Sequence, residues 1–163
     1  MNLKVALILG SDSDAEHAEK AQIQLTKLGI EHETHIYSAH RTPDAACEFA
    51  KTARSNGFGV IIAFAGMAAH LAGALAAQTT LPVIGVPLKG GALDGLDALL
   101  STVQMPSGVP VATVALNGSV NAALLAAQIL ALSDTALQKK LQDHKNETAA
   151  NVLKKDKEQI WKS

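Results

Sequence analysis

A histidine and an arginine are adjacent in the segment Ser38-Ala39-His40-Arg41-Thr42-Pro43. Arg41 carries a permanent charge and a planar fork of N–H donors, so it can bind a phosphate or a carboxylate. His40 can gain and lose a proton near neutral pH. The pair suits a reaction in which an anionic substrate is held while a proton is moved. The segment is therefore predicted to be the working loop of an enzyme that handles a phosphorylated substrate.

Two further segments carry residues suited to ligand binding. Gly10-Ser11-Asp12-Ser13-Asp14 offers hydroxyls, carboxylates and the free amides of a predicted helix N-terminus, which suit a phosphate or ribose hydroxyls. The same residues are also typical of an ordinary helix cap, for which Ser13 alone would suffice. The segment 65–71 combines small residues, which let the backbone approach a ligand, with His70. His70 could bond a substrate carboxylate or simply cap or pack within its helix.

Each of these segments follows a predicted strand in a regular alternation of strands and helices. Strands are expected at about 5–9, 31–37, 60–65, 82–86 and 109–116, where most runs are continuously apolar, as in strands covered on both faces. Helices are expected at about 13–28, 43–55, 67–78, 97–102 and 120–132. Ser13 and Glu16 are predicted to form the capping box of the first helix, and Gly29 is predicted to end that helix. Thr42 is the predicted N-cap of the second helix.

Strands joined in this way by helices form a parallel sheet through right-handed crossovers. We predict a three-layer, flavodoxin-like α/β fold with a five-stranded parallel sheet of order 2-1-3-4-5 and helices on both faces. In that order the loops after the first three strands are neighbours at the carboxyl edge of the sheet, where ligands bind. The three segments are therefore expected to form one site.

No linker, repeat or low-complexity segment divides the chain, so one catalytic domain is expected over residues 1–163, with a core at 3–132. The segment 133–163 is predicted to be a C-terminal helical tail. Its sparse apolar positions could dock on a neighbouring subunit or remain on a solvated helix; they are Leu137, Leu141, Val152, Leu153 and Ile160.

The composition of the chain excludes several classes of function. The formal net charge is -1, from 14 basic and 15 acidic residues, which gives no footprint for nucleic acid or an anionic membrane. No apolar run is long enough for a membrane span and no signal peptide is recognised, so a cytoplasmic protein is expected.

The single cysteine, Cys47, excludes an intrachain disulfide and is expected to be a small buried hydrophobe. No metal-binding spacing, Walker loop or dinucleotide fingerprint is present, so no metal and no cofactor are expected.

Several long motifs occur in fixed order between about Val5 and Leu132. They are GSDSD at 10–14, SAHRTP at 38–43, AAHL at 68–71, LPVIGVP at 81–87, LLSTVQMPSGVPVATVA at 99–115 and NAALLAAQIL at 121–130. In these motifs the chain closely resembles the N5-carboxyaminoimidazole ribonucleotide mutases of de novo purine synthesis. The resemblance implies a flavodoxin-like subunit of a homo-octamer, with active sites near subunit boundaries.

The same resemblance implies an isomerase that moves a carboxyl group from an exocyclic nitrogen to ring carbon C4 of a ribonucleotide. Decarboxylation followed by recarboxylation at C4 would accomplish this without a cofactor. His40 is then the catalytic acid–base residue. The residues expected to bind the substrate are Ser11, Asp14, Ser38, Arg41, Gly66, Met67, Ala68, His70 and Leu71.

Two positions depart from the family pattern. Met67 replaces a frequent glycine, which makes a backbone with positive φ doubtful there, and Ala72 replaces a proline. Both changes could alter the shape of the pocket and the rate.

Two alternatives stay open. One is a direct aminoimidazole ribonucleotide carboxylase that uses free CO2. The other is a non-catalytic flavodoxin-like module, either a receiver or a binder of a nucleotide or flavin. A receiver needs an aspartate where this chain has Ala65-Gly66, and a flavin site usually needs more aromatic rings than one Trp and one Tyr supply.

Overall fold

Parallel strands form the centre of the structure, a computed structural model that describes residues 3–158. The sheet has five strands in the order β2-β1-β3-β4-β5, as predicted. The strands are β1 at Lys4–Leu9, β2 at His32–Ile36, β3 at Phe58–Gly66, β4 at Val83–Leu88 and β5 at Ala112–Thr113. All four strand pairs are parallel, so the carboxyl ends of the strands meet at one edge of the sheet.

Helices cover both faces of the sheet, which confirms the flavodoxin-like three-layer fold. They are α1 at Ala15–Leu28, α2 at Pro43–Thr52, α3 at Leu71–Ala76, α4 at Leu96–Val103, α5 at Ser119–Ala131 and α6 at Thr135–Glu158. Helices α1 and α5 share one apolar layer with alternate residues of β1 and β3. Helices α2 and α3 share the other layer with the intervening strand residues. Since successive strand side chains point to opposite faces, a strand covered by helices on both faces is continuously apolar, as β1 is from Val5 to Leu9.

Several predicted boundaries are wrong. The fifth strand is only Ala112–Thr113, because Pro110 has no N–H to donate to a sheet and Gly108 turns the chain with a φ of 93°. Strand β2 lies at the sheet edge and is half-exposed. Helix α2 ends at Thr52 and α3 spans only Leu71–Ala76, so both are shorter than predicted.

The predicted helical tail is α6, which begins at Thr135. Its first turns pack on the body through Leu137, which is buried. Val152 and Leu153 are exposed, so the docking of this stripe on another subunit stays a prediction. Ile160 lies outside the described residues.

Gly85 lies in β4, and helix α4 packs directly against it. A Cβ at this position would lie 2.3 Å from Thr102 Cγ2 and 3.1 Å from Val111 Cγ1. Thr102 is buried, and its hydroxyl donates a hydrogen bond of 2.7 Å to the Ala98 carbonyl, so it cannot easily move aside. Glycine is therefore required here by the close approach of α4 to β4.

We expect Gly85→Ala to lower the free energy of unfolding by about 1–3 kcal/mol, the usual cost of overpacking a core. Urea unfolding of the variant and the wild type measures this change. Gly66→Ala in β3 is the matched control, because its Cβ would meet its nearest neighbour at 3.6 Å, an ordinary contact. Equal losses in the two variants would show that α4 is not tightly packed against β4.

Candidate active site

The three segments singled out in the sequence converge at the carboxyl edge of the sheet. They line one cavity of about 800 Å³, which is in the range of small-molecule sites. His40 lines it, together with eight of the nine residues predicted to bind substrate: Ser11, Asp14, Ser38, Arg41, Gly66, Met67, Ala68 and Leu71. The ninth, His70, lies beside the cavity at the N-terminus of α3. Nine of the ten residues predicted for the site therefore come together at this edge.

The first loop is a 3-10 turn at Asp12–Asp14, ahead of α1. Ser11 rather than Ser13 is the cap: its hydroxyl accepts the Ser13 N–H at 3.4 Å, and Asp14 Oδ2 accepts the Ser11 N–H at 3.0 Å. The predicted Ser13–Glu16 capping box is therefore wrong. The expectation of free amides is also wrong for Ser11, Ser13 and Asp14, because each of these N–H groups already has an acceptor. The Ser11 and Ser13 hydroxyls remain at the cavity wall.

Asp14 is half-buried at the floor of this loop. Burial raises the pKa of its carboxyl above the usual range, and the hydrogen bond from the Ser11 N–H opposes this effect only in part. The folded state therefore keeps the Asp14 proton at a pH where the unfolded chain has already lost it. The stabilisation that this carboxyl contributes is complete at pH values below the pKa of Asp14 in the unfolded chain. It is lost as the pH rises through the pKa of Asp14 in the folded protein.

We expect the stability of the wild type to fall relative to Asp14→Asn as pH rises from about 4, near the ordinary pKa of an aspartate. Urea unfolding at a series of pH values between about 3.5 and 7 measures this difference. Glu16→Gln is the control with the opposite sign, because the hydrogen bond from Lys20 lowers the pKa of Glu16. A parallel pH profile for the wild type and Asp14→Asn would contradict the effect of burial.

The second loop holds the guanidinium of Arg41 in place. Arg41 Nη2 donates to the Gly10 carbonyl at 3.0 Å, and Nε donates to Ser38 Oγ at 3.4 Å. Thr42 occupies the N-cap position of α2, as predicted, but its side chain makes no hydrogen bond to the helix. Its hydroxyl instead accepts the Ser38 N–H at 2.9 Å and donates to the Ser38 carbonyl at 3.2 Å, because the chain folds back at this point. Arg41 is therefore oriented across the first and second loops.

His40 and His70 form a direct hydrogen bond, which the sequence did not predict. His40 Nε2 lies 2.8 Å from His70 Nδ1, and the two rings meet edge to face at 68°. A hydrogen bond between two imidazoles needs one donor and one acceptor. The bond therefore cannot persist when both rings are fully protonated, so the pair can hold a single exchangeable proton between its two rings.

Met67 adopts a φ of 50°, in the left-handed region that glycine favours. The doubt raised by replacing glycine here is therefore resolved: the backbone accepts the conformation despite the side chain. The cost is about 1–2 kcal/mol. Met67 Cγ lies close to Gly91, where a Cβ would come within 3.2 Å of it. The Met67 side chain therefore packs against the loop that follows β4.

That loop contributes Lys89 to the cavity wall, a residue that sequence reasoning missed. The signal was a lysine directly after β4, followed by Gly90-Gly91. The loops after the first three strands were expected at the site, but β4 also ends at this edge of the sheet.

Other predicted features have smaller consequences. Cys47 is half-buried, so it is less enclosed than predicted, and it does not line the cavity. Within residues 3–158, no cluster of three histidine, cysteine or acidic side chains is arranged to hold a metal ion. No helix in the same range combines the length and the apolar character needed to cross a membrane.

Comparisons with known proteins agree with this architecture. The model of the AIR carboxylase family matches residues 4–151. A Bacillus subtilis protein named N5-carboxyaminoimidazole ribonucleotide mutase is 54% identical over 151 residues, covering 91% of this chain and 93% of its own. A Thermotoga maritima protein of the same name is 51% identical, covering 93% of this chain and 89% of its own. The crystal structure of Treponema denticola PurE superposes with a TM-score of 0.87 at 30% identity, covering 94% and 96% of the two chains. The chain therefore belongs to the AIR carboxylase family.

Proposed function

We propose that the chain is an N5-carboxyaminoimidazole ribonucleotide mutase of purine biosynthesis. It converts N5-carboxyaminoimidazole ribonucleotide to 4-carboxy-5-aminoimidazole ribonucleotide, and is an isomerase. The observation that carries this proposal is the placement of His40, bonded to His70, beside Arg41 on one cavity wall. Relatives more than half identical over most of this chain bear the name of this activity.

Binding of the substrate is divided among the three loops. Arg41, Ser38 and Ser11 bind the nucleotide phosphate, since a guanidinium and hydroxyls are its natural donors. Asp14 accepts hydrogen bonds from the ribose hydroxyls. The migrating carboxylate lies near His70 against a wall made of Gly66, Met67, Ala68 and Leu71.

His40 moves one proton out and one proton back. As an imidazolium it donates a proton to the exocyclic nitrogen while the N–CO2 bond breaks, which releases CO2 and leaves the free amine. Ring carbon C4 then attacks the CO2 carbon and forms the new C–C bond. The neutral His40 removes the C4 proton, which restores the aromatic ring and the imidazolium. Atoms and charge balance without a cofactor.

Confinement makes this route efficient. CO2 released in bulk water would have to meet the ring again as a dilute reactant. Held beside C4, it reacts as part of the same complex, and well-oriented intramolecular reactions have effective molarities of up to about 10⁵–10⁸ M. The protein therefore needs chiefly to hold the ring and the CO2 in place and to move one proton.

The test supplies each possible substrate without ATP. The mutase must convert N5-carboxyaminoimidazole ribonucleotide rapidly, and must act slowly on aminoimidazole ribonucleotide with bicarbonate. A direct carboxylase would show the reverse preference, and that result would reject the mutase. A purified protein with no visible absorbance removes the flavin alternative.

The mutase acts as a cytoplasmic homo-octamer, with residues 1–163 as one catalytic domain. Exposed apolar side chains on and beside α4 support a subunit contact at this face, namely Leu93, Leu96, Leu100 and Val103. Leu100 also lines a groove with His70, so a neighbouring subunit there would lie next to the site. Light scattering should give a mass near eight chains, and a monomer mass would reject the octamer.

A further inference from the structure

Lys89 follows β4 at the carboxyl edge of the sheet and lines the same cavity as Arg41. Its backbone N–H donates to Asn117 Oδ1 at 2.9 Å, and the Asn117 N–H donates to the Pro87 carbonyl at 2.9 Å. These bonds fix the Lys89 backbone beside the cavity. The side chain itself is 57% exposed, so its ammonium can change partners without any movement of the backbone.

The partner of Lys89 in the structure is Asp94, at 3.1 Å from Nζ to Oδ2. The loop between them folds back, with the Gly95 N–H donating to the Gly90 carbonyl at 3.1 Å. Asp94 has a φ of 53°, in the left-handed region. Its side chain is 74% exposed, and an ion pair between groups this exposed is weak. A stronger anion in the cavity can therefore displace Asp94 at little cost.

The cavity wall carries little positive charge compared with the negative charge of the proposed substrate. Within the described part of the chain, the side chains on this wall with a permanent positive charge are Arg41 and Lys89, and Asp14 is acidic. Arg41 also has protein partners, the Gly10 carbonyl and the Ser38 hydroxyl. The substrate of the proposed reaction carries a phosphate of about 1.5–2 negative charges and a carboxylate. Arg41 together with an imidazolium at His40 still leaves part of this charge unbalanced.

We propose that Lys89 exchanges Asp94 for an anionic group of the substrate and so acts as the second binding cation of the cavity. The inference rests on the proposed function, because that function defines the charge of the substrate. Asp94 is then a competitor that holds the lysine side chain at the cavity rim.

The test measures binding of 4-carboxy-5-aminoimidazole ribonucleotide and of aminoimidazole ribonucleotide by calorimetry. Lys89→Met keeps the aliphatic stem and removes the charge, and it should weaken binding about tenfold or more. Lys20→Met is the matched control, because Lys20 forms a similarly exposed pair with Glu16 at 3.0 Å and lies off the cavity wall. A loss with both ligands assigns the phosphate to Lys89, and a loss with the first ligand alone assigns the carboxylate.

Asp94→Asn should have the opposite effect. Asparagine also tolerates a left-handed φ, so the turn is kept while the competing charge is removed. Binding should tighten about two- to fivefold, as expected for the loss of a weak ion pair, and the gain should vanish in the double variant with Lys89→Met. Unchanged binding by Asp94→Asn would overturn the exchange.

Equal affinities of Lys89→Met and Lys20→Met for both ligands would overturn the proposal that Lys89 is the second binding cation. Failure of the wild type to convert the N-carboxylated substrate would reject the proposed function instead, and the binding measurements would still report on Lys89.

Discussion

His40→Asn is expected to lower kcat by about 1,000-fold or more while changing substrate affinity only a few-fold. General acid–base catalysis contributes about 10²–10⁴-fold, and His40 is proposed to act in both halves of the reaction. An asparagine amide is polar and fits within the space of the ring, but it ends short of the Nε2 position that bonds to His70. It cannot carry a proton at neutral pH. Steady-state kinetics together with equilibrium binding of the product separate the two effects.

His144→Asn is the matched control for this variant. His144 lies on α6, far along the chain from the cavity lining, and its carbonyl accepts a hydrogen bond from the Thr148 hydroxyl at 2.9 Å. The side-chain change is the same and no loss of kcat is expected. Near-full activity of His40→Asn would exclude His40 as the acid–base residue, and lost binding with normal kcat would make it a binding residue.

The strand order could be predicted because it depends on simple properties of the chain. The apolar runs in β1, β3 and β4 have no polar alternation, and parallel strands need right-handed crossovers. Few topologies satisfy both conditions. With the order known, the carboxyl ends of β1, β2 and β3 must lie together, so the residues of the cavity followed from their place in the sequence.

Local details could not be predicted in the same way. Near the start of α1, three residues have side chains that can cap a helix: Ser11, Ser13 and Asp14. Which of them does so depends on the residue at which the helical turn begins. Thr42 shows the same ambiguity, because its hydroxyl bonds to Ser38 rather than to the helix that follows. Such choices depend on small energy differences between alternative hydrogen bonds.

The hydrogen bond between His40 and His70 could not be predicted from the sequence, for a different reason. Strand β1 separates β2 from β3, so the two histidines do not follow neighbouring strands. Their contact depends on the paths of two loops and on the rotamers of both rings. Neither is determined by residue type or spacing.

Arg41→Ala is expected to raise KM about 10- to 100-fold with a smaller change in kcat. Hydrogen bonds to charged groups contribute about 1.5–3 kcal/mol, and 1.4 kcal/mol corresponds to a factor of ten. The phosphate is far from the reacting carbon and is bound equally in the ground state and the transition state, so its loss changes binding more than chemistry. Steady-state kinetics on the N-carboxylated substrate give both constants.

Two variants sharpen this prediction. Arg54→Ala is the control, because Arg54 also donates to protein oxygens, the Thr80 carbonyl at 3.2 Å and hydroxyl at 3.1 Å, yet does not line the cavity. Arg41→Lys keeps the charge but cannot match the planar fork that reaches the Gly10 carbonyl and Ser38, so an intermediate KM is expected. A fall in kcat as large as that of His40→Asn, with KM unchanged, would instead mean that Arg41 stabilises charge at the reacting carbon.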